Sequence, residues 1–308
     1  MNLLALNAEG YRSNGSVGFA INGFDTIVTC ESWHENCVEI VNSVGDLSKV
    51  EYLILFLDDV FKAINASVHV RVVIEQQPIA HSGFGSGTAL RLSLVDAVLL
   101  VNDMQLDRNK TVKLSRRGGT SGVGVNTYFD GGFIAESGVP NKGLKSTSSA
   151  DKEGVDFRQP TVIVQKKMPP WFIGIFLVGG ITGVAGESER QFFDENTPIL
   201  QSSVEASIYH AIMGTASAVI DNDYQRFAES VRNVQTLEWK AAEWKIQDPR
   251  VHEARDLLYE SGATSVGLSS FGPALYYTGQ QLDFSSLNRL GRSVVSSPNN
   301  RGRIISRV

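Results

Sequence analysis

The sequence has little cysteine and no excess of positive charge. Its only cysteines, Cys30 and Cys37, form no CxxC or Cys/His cluster, which argues against a disulfide framework or a zinc site and favours a reducing environment. A net charge of −5 at pH 7 provides no basic field for a nucleic acid. No signal peptide is apparent, and the most apolar window, 171–185, is too short to span a membrane. We therefore expect a cytoplasmic protein that binds neither nucleic acid nor a membrane.

The chain is long enough for a large core. It has 308 residues, 42% of them hydrophobic, and single cores stop growing at roughly 250–300 residues. We expect two lobes, an N-terminal lobe over 1–150 and a C-terminal lobe over 151–308, with a mobile loop or lid over 139–160. The patterning predicts strands at 17–29, 68–75, 161–165 and 172–178, and helices at 50–64, 87–103, 221–240 and 249–261. Strands and helices in both halves favour an α+β fold.

Glycine is concentrated in two runs, HSGFGSGT over 81–88 and RRGGTSGVG over 116–124. Glycine lets the main chain approach a phosphate closely, and a helix that starts after such a loop adds its positive end. The predicted helix 87–103 starts in the first run, with Ser86 or Thr88 as its cap. The first run lacks the lysine of a Walker A motif. Together the runs predict a phosphate or diphosphate site, with a structural turn as the alternative for each run.

These runs supply the candidate substrate-binding residues. Arginine offers a planar fork to phosphate oxygens, and serine and threonine add short donors. A third turn, GLSSFGP over 267–273, is a further candidate for the same site, or a hairpin turn. The candidates are Ser82, Gly83, Gly85, Ser86, Gly87 and Thr88 in the first run, Arg117, Gly118, Gly119, Thr120 and Ser121 in the second, and Ser269 and Ser270 in the third turn.

Three acidic residues and one histidine are candidates for metal binding and catalysis. Glu187 and Glu189 are candidate ligands of Mg²⁺, which binds one or two carboxylates together with substrate phosphates. Asp130, Glu187 and His81 are the candidate catalytic groups, and His81 would act as an acid or base. A solvated acidic turn and a histidine at the end of a strand explain the same residues without a function.

Three motifs in this order resemble those of one enzyme family. HSGFGSGT, RRGGTSGVGV followed by FDGGFI, and GLSSFGPALYY are similar to motifs of the β-ribofuranosylaminobenzene 5′-phosphate synthases, which belong to the GHMP kinase superfamily. Segment 12–19, with Asn14 and Gly15, resembles the family's N-terminal motif, so both residues are further substrate-binding candidates. The resemblance spans about residues 7–280. It implies a two-lobed GHMP kinase-like fold and a homodimer.

The resemblance also implies a reaction. The family joins the ring of an aromatic carboxylic acid to the anomeric carbon of phosphoribosyl pyrophosphate (PRPP) and releases carbon dioxide and pyrophosphate, a reaction in which we expect Mg²⁺ to stabilise the leaving pyrophosphate. The C-nucleoside antibiotic synthases, which act on a pyrazole acid, are similar proteins. Benzoate and heterocyclic acceptors therefore both stay open, as do pterin cofactor and antibiotic synthesis.

One comparison separates this chemistry from that of a kinase. Mevalonate-type kinases carry a segment like SGVDNAVSTWGG, and laid over 121–132 its catalytic aspartate falls on Gly124. Loss of a general base typically costs 10²–10⁴-fold in rate. A shifted alignment would make Asp130 that acid, so an ATP-dependent small-molecule kinase is the alternative. The family usually has histidine at Asp130 and leucine at Phe84, differences that concern the aromatic acceptor.

Overall fold

The computed structural model describes residues 2–41, 47–79, 81–141, 158–279 and 282–307. The strands are β1 (Asn2–Ala5), β2 (Arg12–Phe19), β3 (Ile27–Trp33), β4 (Cys37–Ile40), β5 (His69–Gln76), β6 (Phe133–Glu136), β7 (Val139–Pro140), β8 (Val162–Lys166), β9 (Ile173–Val178), β10 (Ser265–Leu268), β11 (Leu275–Thr278) and β12 (Gly291–Ser296). The helices are α1 (Leu47–Ala63), α2 (Ser86–Val101), α3 (Arg108–Ser115), α4 (Val123–Asp130), α5 (Glu187–Asn196), α6 (Gln201–Ile208), α7 (Ser217–Asp221), α8 (Tyr224–Gln235), α9 (Glu238–Lys245) and α10 (Pro249–Glu260). A π-helical segment, Tyr209–Ala216, joins α6 to α7.

The chain divides into two compact units that are discontinuous in sequence. The first unit comprises residues 1–23, 81–84 and 118–308, and the second comprises 24–80 and 85–117. The chain passes from one unit to the other within each glycine-rich run. The single boundary expected at residue 150 and most of the lid expected over 139–160 lie outside the described residues, and both stay predictions.

The second unit is a three-stranded sheet packed against helices. β5 lies in the centre, antiparallel to β3 and parallel to β4. Because side chains alternate along a strand, Val70, Val72 and Ile74 all enter a core that they share with α1 and α2. Cys30 on β3 is a free thiol, as is Cys37 on β4. Burial raises the pKa of Cys30 to about 12, so this thiol is unreactive at neutral pH.

In the part of the first unit that the structure describes, the strands form two sheets. One has the order β1-β2-β6-β8, with β7 paired to β2, and the other has the order β10-β11-β9-β12. All six residues of β9 are buried, as expected for the centre of a covered sheet. A second apolar cluster joins Phe192 and Phe193 of α5 to Trp239 of α9. This cluster also contacts Phe271, which lies in the third candidate turn, residues 267–273.

Most predicted elements are confirmed, and two have wrong boundaries. The strand predicted over 17–29 is two strands, because β2 ends at Phe19 and the chain turns at Gly23, where φ is +83°. The helix predicted over 221–240 is α8 followed by the start of α9. Left-handed Asn222 ends α7, Asp223 caps α8 by accepting from the amide of Arg226, and the extended backbone of Leu237 separates α8 from α9. No helix in the described ranges is both long and apolar enough to cross a membrane.

Candidate active site

The first glycine-rich run forms the N-terminus of α2, in the second unit. Gly85 is the N-cap residue with φ +67°, and no side chain caps the helix. The predicted capping role of Ser86 or Thr88 is therefore wrong, because Ser86 is already inside the helix. Gly85 O accepts from the amides of Thr88 and Ala89 at 3.0 and 3.1 Å. No side chain caps the amides at the start of this helix. Helix N-termini of this kind commonly bind anions.

Arg117 lies at this same helix end. A Cβ added to Gly87 would be 3.2 Å from Nη2 of Arg117, and the amide of Arg117 donates to Ser115 Oγ at 3.2 Å. A guanidinium and helix-end amides are donors that suit an anion such as phosphate. The guanidinium of Arg116, the preceding residue, pairs with Asp59 at 3.1 Å, and both side chains are partly exposed. Its position at the N-terminus of α2 makes Arg117 the candidate phosphate ligand of this run.

A second group of predicted residues lies in the first unit, beside the loop that precedes α4. Asn14 is 3% exposed, left-handed at φ 67°, and donates from Nδ2 to Gly119 O at 3.4 Å. Its Oδ1 has no hydrogen-bond partner in the described structure. An unsatisfied buried acceptor costs about 1–3 kcal/mol. A ligand that supplies an N–H or O–H group here would remove that cost.

Glu136, which was not among the candidates predicted from the sequence, holds this loop in place. Its fully buried carboxylate accepts from the amides of Gly122 at 3.1 Å and Gly138 at 2.6 Å and from Ser16 Oγ. Ser16 Oγ in turn lies 2.7 Å from Ser121 Oγ. In the sequence, the signal for a buried Glu136 was its place at the end of the otherwise apolar stretch FIAE.

The titration of Glu136 makes a prediction about pH. Burial raises the pKa of Glu136 above its ordinary value of 4.5, against the opposing effect of Ser16 and the two amides. The folded state therefore holds the proton of Glu136 more tightly than the unfolded chain does. The stability that comes from this tighter proton binding is present below pH 4.5 and is lost as the pH rises through the pKa of the folded state.

Relative to Glu136→Gln, which does not titrate, the wild type should become less stable as the pH rises toward neutrality. Urea unfolding of both proteins across this pH range measures the difference in the free energy of unfolding. A difference that does not change with pH contradicts the assignment.

The structure brings the start of the first run together with the third turn, both in the first unit. Ser269 Oγ donates to Gly83 O at 3.0 Å. Gly83 has φ +84°, and a Cβ added there would overlap the carbonyl group of Ser269. Ser82 is buried next to this contact, while Ser270 is left-handed at φ 51°. Only glycine at position 83 permits this approach.

The catalytic candidates are more dispersed than expected. Asp130 is the last residue of α4, about 12 Å from the Gly122 end at 1.5 Å per residue. It precedes Gly131, whose backbone packs on residues 299–302. The geometry therefore does not place Asp130 beside Gly118–Ser121. His81 is left-handed at φ 57°, and Gly183 packs tightly against its carbonyl group; its catalytic role stays a prediction.

Glu187 and Glu189 do not fit a joint magnesium site. Both lie in the first turn of α5, and residues two apart on a helix do not face each other. The Glu187 side chain is 83% exposed and pairs with Arg190 at 2.8 Å. Within the described ranges, no group of three His, Cys, Asp or Glu residues could hold a metal ion. The solvated acidic turn, the alternative without a function, is the first turn of a helix, and a metal role for either residue stays a prediction.

Two curated proteins are similar to the chain over nearly its whole length. The β-ribofuranosylphenol 5′-phosphate synthase of Methanothermobacter thermautotrophicus is 28% identical over 312 residues, covering 98% of this chain and 94% of the relative. This chain is a homologue of the β-ribofuranosylphenol 5′-phosphate synthases. The synthase of the same name from Methanocaldococcus jannaschii is 24% identical over 330 residues, covering 99% and 97%. No family model matches the chain. The resemblance drawn from the motifs is thus confirmed, with a phenol rather than an aminobenzene in the relatives' name.

Solved structures show the fold of this synthase homologue. Mevalonate diphosphate decarboxylase from Staphylococcus aureus superposes with a TM-score of 0.67 at 13% identity, covering 99% of this chain and 97% of that one. Homoserine kinase from Cytophaga hutchinsonii gives 0.65 at 15% identity, covering 93% and 90%. The predicted α+β, GHMP kinase-like fold is confirmed. At these identities the likeness concerns the fold alone.

Proposed function

We propose that this protein joins the ribose 5-phosphate of PRPP to an aromatic carboxylic acid and releases carbon dioxide and pyrophosphate. The observation that carries the proposal is Arg117 beside the uncapped N-terminus of α2. Guanidinium and helix amides are the groups that recognise phosphate oxygens. The homologous synthases, whose name describes a ribosylated phenol phosphate, support the choice of reaction.

Each unit offers its own set of groups to a ligand. In the second unit, the α2 end, with Gly85–Thr88 and Arg117, suits a diphosphate or phosphate. In the first unit, Asn14 suits a ligand hydroxyl, since its unsatisfied Oδ1 accepts hydrogen bonds and would repel phosphate oxygens. Gly118–Ser121 lie beside Asn14 through Gly119, and we assign a sugar and its 5′-phosphate to this group.

The chemistry requires little acid or base from the protein. The bond between the anomeric carbon and the diphosphate breaks, and its electron pair leaves on pyrophosphate. The ring carbon that bears the carboxylate forms the new carbon–carbon bond. The electron pair of the bond to the departing carbon dioxide then restores aromaticity. Arg117 and the α2 amides stabilise the leaving charge, and the glycine-rich loops position the sugar.

Magnesium in this proposal enters with the substrate. Mg²⁺ keeps several waters and is bound mainly by substrate phosphates plus one or two carboxylates. Glu187 or Glu189 would supply one such carboxylate. The metal would neutralise charge on the departing pyrophosphate. A cytoplasmic location, expected from the composition, and a homodimer, implied by the resemblance, stay predictions.

The choice of reaction over phosphoryl transfer rests on Gly124. It lies in the first turn of α4, at the position that corresponds to the catalytic aspartate of mevalonate-type kinases. Asp130, which a shifted alignment would make that acid, is at the other end of the same helix. A kinase built on this chain would lack its base.

The proposal predicts that pyrophosphate and carbon dioxide form in equal amounts from PRPP, and only when Mg²⁺ and an aromatic carboxylic acid are both present. The panel of acids includes 4-hydroxybenzoate, 4-aminobenzoate and pyrazole carboxylates, because the acceptor is open. Pyrophosphate is measured with a coupled assay and carbon dioxide from carboxyl-labelled acid. Phosphate transfer from ATP to an alcohol, without turnover of PRPP, would contradict the proposal and favour the kinase.

A further inference from the structure

A buried ion pair lies beneath the third turn. Lys240 and Glu243 are on α9, three residues apart, and their side chains are 0% and 3% exposed. Lys240 Nζ donates to Glu243 Oε2. The pair lies on the face of α9 that also buries Trp239 and Trp244. Burying two charges is costly unless each gains further hydrogen bonds, so the other partners of Lys240 show what the pair does.

The pair donates to the backbone of the turn. Lys240 Nζ also donates to Ser270 O at 3.3 Å. One helical turn further on, Gln247 Nε2 donates to Phe271 O at 3.1 Å and to Glu243 O at 2.9 Å. Two successive carbonyl groups of the turn are thus fixed by donors from one side. Ser270, at φ 51°, is left-handed, a conformation that is unfavourable for a residue with a side chain.

The 269–272 turn contacts the first glycine-rich run and fixes the position of Gly83. Ser269, immediately before the fixed carbonyls, donates from Oγ to Gly83 O at 3.0 Å. The backbones of Gly83 and Ser269 are close enough to exclude a side chain at position 83. A shift of Ser270 would therefore be transmitted to Gly83 through rigid backbone contact.

We propose that Lys240 is a positioning residue of the synthase: paired with Glu243, it holds the 269–272 turn so that Ser269 fixes Gly83. An apolar pair of similar volume would be at least as stable in this position. What such a pair lacks is a charged donor to Ser270 O, and charge-assisted hydrogen bonds are the stronger, more directional ones. This inference rests on the proposed function, because it assigns Gly83 to the loop that binds PRPP.

The test is the double variant Lys240→Met with Glu243→Leu, which removes both charges together. It should melt close to the wild type, while its KM for PRPP rises about tenfold, the size expected for one lost hydrogen bond from a charged donor. Its kcat and its KM for the aromatic acid should change much less. In hydrogen exchange, the amides of 81–84 and 269–272 should exchange faster, and those of β9 should not.

Two further variants keep the test decisive. Gln247→Met removes the second donor to the turn and leaves the ion pair intact, so it should raise the same KM even if the double variant fails to fold. Thr215→Val removes a buried hydroxyl that donates to Ala211 O at 2.6 Å in the π-helical segment, and it should leave the KM unchanged.

A folded double variant with the wild-type KM for PRPP would overturn the positioning role. If the wild type does not turn over PRPP with any acid, the proposed function is wrong, but this result does not decide the positioning role of Lys240. Hydrogen exchange then decides the positioning role, and unchanged exchange in 81–84 and 269–272 would overturn it.

Discussion

Replacing Arg117 with methionine should lower kcat/KM for PRPP about 10²–10³-fold, the range found when one preorganised donor to a developing negative charge is removed. The guanidinium lies beside Gly87 at the N-terminus of α2, where it adds to the field of the helix. Methionine keeps the length and apolar stem of the side chain and removes the charge and the fork of donors. A thermal melt of the variant checks that the fold persists. Steady-state kinetics with varied PRPP measures the loss.

The matched control is Arg116→Met. Arg116 is the preceding residue, and its guanidinium pairs with Asp59 at 3.1 Å, both partly exposed. Exposed pairs contribute about 0–1 kcal/mol, so this variant should keep kcat/KM within about twofold and lose little stability. Equal effects of the two substitutions would show that the general positive charge of the run matters, rather than the position of Arg117.

Replacing Gly83 with alanine should lower kcat/KM for PRPP by at least about 100-fold, the loss that a displacement of 1 Å in a positioned group can cause. Two effects combine at this residue. Its φ of +84° is unfavourable for a residue with a Cβ, and that Cβ would overlap the carbonyl group of Ser269. The first glycine-rich run and the third turn must therefore move apart. Kinetics and a thermal melt on the same sample separate lost activity from lost folding.

Gly23→Ala separates strain from overlap. Gly23 has nearly the same φ, +83°, but a Cβ added there would meet no atom within 4 Å. This variant experiences only the conformational penalty, about 1–2 kcal/mol, and should keep its activity. If Gly83→Ala were as active as Gly23→Ala, the packing of Gly83 on Ser269 would have no part in substrate binding.

Local patterns were sufficient to predict most of the secondary structure. The helical spacing of apolar residues over 50–64 and the β-branched run over 68–75 predicted α1 and β5, because these segments bury one face against a common core. The prediction failed where one residue ends an element. Gly23 separates β2 from β3, and left-handed Asn222 separates α7 from α8. A single residue of this kind hardly changes the spacing of apolar residues, so the spacing does not reveal where the element ends.

The part of the candidate site that is local in sequence could be predicted. The run 81–88 predicted the start of α2, and the run 116–124 contains Arg117, because a phosphate site would need main-chain access and donors within one short segment. Glu136 and Lys240 were not predictable, because each acts on a loop distant in sequence through a contact that only the fold creates. The sequence did not predict that Glu187 and Glu189 lie in the first turn of α5, and their role in metal binding stays a prediction.

The central claim is that a carbon–carbon bond forms between ribose and an aromatic ring. The most direct measurement uses PRPP labelled with ¹³C at its anomeric carbon and an aromatic acid labelled with ¹³C at the ring carbon that bears the carboxylate. The account predicts a product whose NMR spectrum shows one-bond coupling between the two labelled carbons, with the carboxyl group absent. A product that keeps its carboxyl group, with the label of PRPP attached through oxygen or not attached, would contradict it.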